Sequence, residues 1–158
     1  MSDNRTPSRR HLRRLDNVWV EPLYLITGNT LRRQAVLVPQ LAEAVVGALR
    51  DTAQMNEWAV GRFVVMPDHV HFFCRDVGGR RTLSDFIGGF KQMSTRNAWA
   101  AGWEGKLWQA EFFDHLLRSE ESYEQKWEYV RQNPVRARLC VSADGWPHQG
   151  EIEHIERH

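Results

Sequence analysis

Two histidines separated by one apolar residue, His69-Val70-His71, follow Pro67-Asp68 and lead into Phe72-Phe73. The run has the composition of a β-strand, in which successive side chains point to opposite faces. His69 and His71 then share one face with Phe73, while Val70, Phe72 and Cys74 point toward a core. Two imidazoles side by side on a strand can chelate one divalent cation. The bland alternative is a chance triplet in a chain with seven histidines. The pair gains chemical meaning only from partners elsewhere.

A second constellation lies near the other end. Tyr123, Trp127 and Val130 recur at helical spacing and form an apolar stripe. Tyr129 falls off that stripe. Asn133, four residues on, and Gln125, four residues before, lie beside it on the same flank, with Lys126 next to them. A phenol and an amide therefore project together. The plain readings are a surface tyrosine and a turn asparagine before Pro134. His115, four residues past Glu111, reads either as a polar residue bonded within a sheet or as a group near a metal or phosphate. Lys91 and Arg96 fall on the polar side of a predicted helix.

The elements that must hold these groups follow from patterning. Residues 18–27 are β-rich, with Pro22 suggesting an edge or a bulge. A helix is predicted over 39–56, with Pro39 at its first position. Strands are predicted over 58–66 and 69–75, joined by Pro67-Asp68. Thr82-Leu83-Ser84-Asp85 forms a capping box that opens a helix reaching about residue 101. Its core stripe is Leu83, Phe86, Ile87, Phe90, Ser94 and Asn97. Gly88-Gly89 inside it implies a close approach or a weak point. A fourth strand lies within 107–118, starting near Glu111. Ser119 is read as the cap of a last helix that opens on Glu120-Glu121 and stops by Gln132 or Asn133, because Pro134 follows. Residues 135–139 allow one further turn. The order βαββαβ is the ferredoxin-like pattern, an α+β fold with one antiparallel sheet, here with an additional C-terminal helix that bears the tyrosine. Two helices cover one sheet face and leave the other for a site.

Composition sets the frame. At 158 residues the chain suits one domain, 18–140, between an Arg-rich arm (1–17) and a loosely packed tail (141–158). The arm carries Arg5, Arg9, Arg10, Arg13 and Arg14, and reads as unstructured when free. Its arginines suit phosphate contacts, against the plain reading of a solubilising tail. Cys74 and Cys140 are isolated and give neither a disulfide framework nor a thiolate metal knot. No apolar run approaches membrane length and no signal-peptide pattern is present, so a cytoplasmic protein with no membrane partner is expected. A net charge of +1 counts modestly against nucleic-acid binding.

Residues 67–73, Pro-Asp-His-Val-His-Phe-Phe, resemble the HUH motif (His, hydrophobic, His) of the single-tyrosine transposases. Residues 123–137 resemble their tyrosine helix, and the Asn133-Pro134-Val135-Arg136-Ala137 version is most similar to the REP-associated tyrosine transposases. Arg9-Arg10-His11-Leu12, Phe90-Lys91, Trp108-Gln109 and Phe113-Asp114-His115 are similar too, so the resemblance spans about residues 9 to 140. It implies His69 and His71 as metal ligands, Tyr129 as nucleophile, Asn133 in the place of a third ligand, Lys91 as a DNA contact with Arg96 a further candidate on the same polar side, and a nucleoid-associated location. In some relatives that third place is Gln. A phenol ionises at about pH 10, so a tyrosine needs help to attack at neutral pH. A hard divalent ion, Mg²⁺ or Mn²⁺, on two imidazoles and one oxygen would supply it. The implied activity is nicking and strand transfer on single-stranded or hairpin (REP-like palindromic) DNA through a 5′-phosphotyrosine. The alternatives are a domesticated module that binds DNA hairpins without cutting, and a metal phosphoesterase that uses water. Monomer and homodimer, with Tyr129 serving its own or a partner's site, both remain open at this point.

Overall fold

The protein is described by a computed structural model covering residues 13–15, 18–20, 22–118 and 121–156. The chain opens with a small antiparallel hairpin, β1 (Arg13–Leu15) and β2 (Val18–Val20), in register Arg13 to Val20. The arm was expected to be unstructured to residue 17, so this pairing is a difference. Its basis is the antiparallel pairing of three residues on each side. Arg5, Arg9 and Arg10 lie outside the described residues, as do the side chains of Arg13 and Arg14. The expected strand over 18–27 is split in two. Its second part continues as β3 (Tyr24–Thr30).

Then follow α1 (Ala42–Asn56), β4 (Trp58–Val65), β5 (His69–Asp76), α2 (Leu83–Ala100), β6 (Trp108–Leu116), α3 (Tyr123–Arg131), α4 (Asn133–Arg136) and β7 (Gln149–Glu151). The five long-range strands form one sheet in the order β6-β3-β5-β4-β7, every described pair antiparallel. The first four are the ferredoxin-like arrangement expected from the βαββαβ pattern. Pro39 lies in an irregular turn (Leu37–Leu41) ahead of α1 rather than at the helix start. β6 begins at Trp108, three residues before the expected Glu111.

The helix side holds the larger core. Ile26, Val70, Phe72 and Cys74 from the sheet meet Val45 and Leu49 of α1 and Phe86 and Phe90 of α2. Phe72 lies edge-on to Phe90 at 5.3 Å, and Trp58 stacks on Phe86 at 5.3 Å. Each such ring contributes about 2–3 kcal/mol by leaving water. The Thr82 box closes as predicted: its hydroxyl accepts from Asp85 N and the Asp85 carboxylate accepts from Thr82 N. Gly89 explains the double glycine. A Cβ there would stand 3.2 Å from Thr52 Cγ2 of α1, so the two helices cross closely at this point.

The other face is only partly open. Tyr123 and Val130 of α3 pack on Phe73, Ala59 and Val64, together with Trp146 and Ile155 from the C-terminal stretch. Residues 141–158 were expected as a loose tail. Instead β7 pairs with Arg62, Phe63 and Val64 of β4, and the Trp146 indole donates to Val65 O at 3.1 Å. A three-residue strand containing Gly150 carries almost no periodicity, so only its partner reveals it. Trp146→Ala is expected to cost about 3 kcal/mol of stability in urea unfolding. A loss below about 1 kcal/mol would show that this stretch does not share the core. Among the described residues no helix is long and apolar enough to cross a membrane.

Candidate active site

The site begins with the alternation of β5. His69 and His71 lie on the face opposite Val70 and Phe72, their ring centres 4.8 Å apart and nearly perpendicular. Each is oriented through Nδ1. Asp68 Oδ1 is 2.8 Å from His69 Nδ1, and Thr27 Oγ1 of β3 is 2.9 Å from His71 Nδ1. Cross-strand register explains the second contact, since Thr27 pairs directly with His71. Asp68 is in turn gripped by Arg33 at 3.0–3.1 Å. Arg33 reaches it from a turn where Arg32 and Arg33 both have left-handed backbone, at φ 56° and 53°. Burial would raise the Asp68 carboxyl; the His69 hydrogen bond and the nearby charges of His69 and Arg33 outweigh it and hold the group below its ordinary value.

Burial, and then the charges of His69 and Arg136, push the His71 pKa down to about 3. Its imidazole is therefore neutral at physiological pH and has a lone pair to give. Among the described residues no hydrogen bond engages Nε2 of either histidine. Two imidazoles fixed through Nδ1, with no described hydrogen bond at Nε2, match the way proteins orient metal ligands. Among the described residues no three His, Cys, Asp or Glu side chains gather to hold a metal ion. Within the described residues, a third donor beside the two imidazoles would be a residue of another type.

The tyrosine helix supplies the other half. Its cap is Ser122, whose hydroxyl accepts from Gln125 N, and not Ser119, which lies outside the described residues. Tyr123 and Val130 are buried and Trp127 is half-buried, as the stripe predicted. Tyr123 is a packing phenol. Its ring lies 4.8 Å from Phe73, its hydroxyl accepts from Arg62 N at 2.9 Å, and burial raises its pKa to about 12. Gly61 is needed here, because a Cβ would come within 2.4 Å of that hydroxyl. Tyr129 is the opposite case, 66% exposed.

Arg136 joins the two halves. Its guanidinium lies 4.2 Å from the Tyr129 ring centre, donates to Tyr129 O at 2.8 Å, and donates to Asn133 Oδ1. Its charge also acts on His71. Sequence reasoning quoted Arg136 within the Asn-Pro motif but gave it no role. The signal was its position seven residues past Tyr129, two helical turns along the same side. Phe113 was missed in the same way. It pairs with Thr27, which pairs with His71, so Phe113, Thr27 and His71 form one row across the sheet, and Phe113 is 55% exposed.

The remaining candidates lie elsewhere. His115 shares the open face but is 3.2 Å from both Glu121 carboxylate oxygens, and Lys126 is 3.3 Å from the same carboxylate. The Arg118 backbone N–H, and then His115 and Lys126, hold Glu121 down to about 2. This cluster ties the end of β6 to the start of α3. Gln125 is exposed beside it. Lys91 donates to Ala110 O at the outer edge of the sheet, on the helix side, and Arg96 lies one and a half turns further along α2. Neither belongs to the histidine face.

With this geometry in hand, the comparisons are specific. The family described as "Transposase IS200 like" matches residues 23–133. A REP-associated tyrosine transposase of Escherichia coli (strain K12) is 27% identical over 120 residues, 73% of this chain and 67% of the relative. The ISDra2 transposase TnpA of Deinococcus radiodurans is 31% identical over 105 residues, 62% of this chain and 74% of the relative. A solved structure of a REP-associated tyrosine transposase bound to a REP hairpin superposes with a TM-score of 0.69 at 23% identity, covering 81% of this chain and 75% of that one. The match runs from β3 through the tyrosine helix to Asn133, so it takes in both histidines and Tyr129. The chain therefore belongs to the IS200-like transposase family, a class of DNA-processing enzymes.

Proposed function

We propose that this protein is a metal-dependent transposase-type nickase and strand transferase acting on single-stranded or hairpin DNA. The observation that carries the reading is the His69–His71 pair, anchored through Nδ1 and linked through Arg136 to the exposed Tyr129. His69 and His71 would hold Mg²⁺ or Mn²⁺, with Asn133 Oδ1 as third donor once Arg136 releases it. When bound, such an ion polarises the scissile phosphodiester and stabilises the charge that develops on it.

The chain's own residues account for the rest. Tyr129 Oη attacks the phosphorus, the P–O3′ bond breaks, and the phenolic proton is lost while the 3′ oxygen leaves as a hydroxyl. A 5′-phosphotyrosine remains, and a second 3′-OH can reverse the step without an external energy source. Arg136 beside the ring offers a cation for the phosphate. Phe113 offers a face on which a neighbouring base can stack. The arginines at 5, 9, 10, 13 and 14 suit further phosphate contacts. That a related transposase has been captured with a REP hairpin supports hairpin DNA as the partner.

The test is direct. Wild-type protein incubated with labelled hairpin DNA and Mn²⁺ is expected to yield a denaturant-resistant protein–DNA adduct. Asn133→Ala should lower the adduct rate at least about tenfold, with partial recovery at high Mn²⁺, since a lost ligand weakens the ion rather than the chemistry. Tight binding with no adduct under any divalent metal would favour the non-cleaving module instead.

A further inference from the structure

On the far side of the sheet from the histidines, a groove of about 630 Å³ runs between α2 and the outer edge of β6. Lys91, Arg96, Lys106 and Trp99 line it, and none of its lining residues is acidic. Trp99 is 51% exposed, yet its indole is fixed, because Nε1 donates to Gly105 O at 2.8 Å. Gly105 can offer that carbonyl because its backbone is left-handed, at φ 87°. Lys91 is already committed to Ala110 O and to the Phe112 ring. Among the described residues neither Arg96 nor Lys106 has an ion pair.

A large aromatic fixed half out of the surface presents an open ring face on which another ring can stack. An uncompensated positive lining on either side of it favours an anion. An aromatic platform flanked by cations is the arrangement that binds unpaired nucleotides, with the base on the ring and the phosphates on the cations. Paired bases are already stacked and offer no free face, so a duplex would satisfy the charges and leave the indole bare.

We infer that this groove holds an unpaired nucleotide of single-stranded DNA, stacked on Trp99 with its phosphates on Arg96 and Lys106. The choice of DNA rests on the proposed function. The binding chemistry rests on the groove alone. Because the groove and the histidine face lie on opposite sides of the sheet, the nucleotide held here belongs to a flank of the substrate and not to the scissile step.

The test uses the full chain and a fluorescently labelled oligothymidylate of about twelve nucleotides, read by anisotropy. Trp99→Ala is expected to weaken binding about tenfold, while Trp99→Phe, which keeps a stacking face, stays within about twofold. Arg96→Gln combined with Lys106→Gln should reduce the slope of log affinity against log salt by about 1.4, or 0.7 for each lost phosphate contact. Thermal melts confirm that the variants are folded. Unchanged affinity in Trp99→Ala together with an unchanged slope in the double variant overturns the inference, as does tighter binding of oligouridylate than of oligothymidylate. Adduct formation is scored separately. An adduct with wild-type-like binding in every groove variant overturns the groove alone. Weakened binding in those variants with no adduct in wild type upholds the groove and removes the cleavage reading.

Discussion

Tyr129→Phe is expected to fold, bind hairpin DNA within about twofold of wild type, and form no covalent adduct. The ring stays in place, so its stacking against Arg136 is largely kept and a stability change within about 0.5 kcal/mol is anticipated for so exposed a site. Only the attacking oxygen is gone, and no neighbouring group replaces it. Tyr123→Phe is the counterpart. Its hydroxyl accepts the Arg62 N–H beneath α3, so its removal leaves a covered amide unpaired and costs about 1–2 kcal/mol. That variant should be measurably less stable and still make the adduct. Denaturing gels with labelled hairpin and Mn²⁺, beside thermal melts, separate the two phenols. An adduct from Tyr129→Phe would mean that the nucleophile has been misassigned.

Loss of either histidine should be as severe. Removing a ligand from a two-imidazole site forfeits several kcal/mol of charge stabilisation. His69→Ala and His71→Ala are each expected to lower the adduct rate at least about a thousandfold, with calorimetric Mn²⁺ binding lost in parallel. Their structural costs differ. His71 is half-buried and bonded to Thr27 across the sheet, so His71→Ala should also cost about 1–3 kcal/mol. His69 bonds to the adjacent Asp68 rather than across strands, so its removal should cost less.

A pH signature accompanies His71. Its pKa is about 3 when folded, against 6.5 for an ordinary histidine. Between those values the unfolded chain binds a proton that the folded chain does not, so stability falls as pH drops from about 6.5 toward about 3. In His71→Gln that part of the slope should vanish. Full adduct formation in either alanine variant, or an unchanged slope in His71→Gln, would contradict the environment described for the pair.

What could be read from the chain was what depends on near neighbours. The alternation from His69 to Phe73 is a two-residue period, and its sidedness needs only a strand. The Thr82–Asp85 box is closed by residues three apart. The apolar stripe of Tyr123, Trp127 and Val130 by itself separates a packing tyrosine from an exposed one. What escaped depends on distant partners. β7 exists because Arg62–Val64 offer an edge about ninety residues earlier. Ser119 and Ser122 are equally good caps locally, and the packing of Tyr123 on Phe73 selects the second. β6 starts early because Trp108 is drawn against Phe90, although the Gln109-Ala110-Glu111 run that follows looks unlike a strand. Arg136 gains meaning only when the end of the tyrosine helix is laid beside β5.

The position of β7 bears on what the margin of the sheet offers to other chains. An uncovered outer strand offers a row of hydrogen-bonding groups to any other extended chain, including another copy. Here β4, rich in Val and Phe, would be such a template, and the chain screens part of it with its own residues Gln149–Glu151. At the opposite margin Lys91 crosses to the backbone of β6, and a charged side chain is a poor invitation to a further strand. Cleavage by a protease ahead of Gln149 would therefore do more than loosen Trp146. It would bare backbone hydrogen-bonding groups along β4 and leave that margin of the sheet open to pairing with another extended chain.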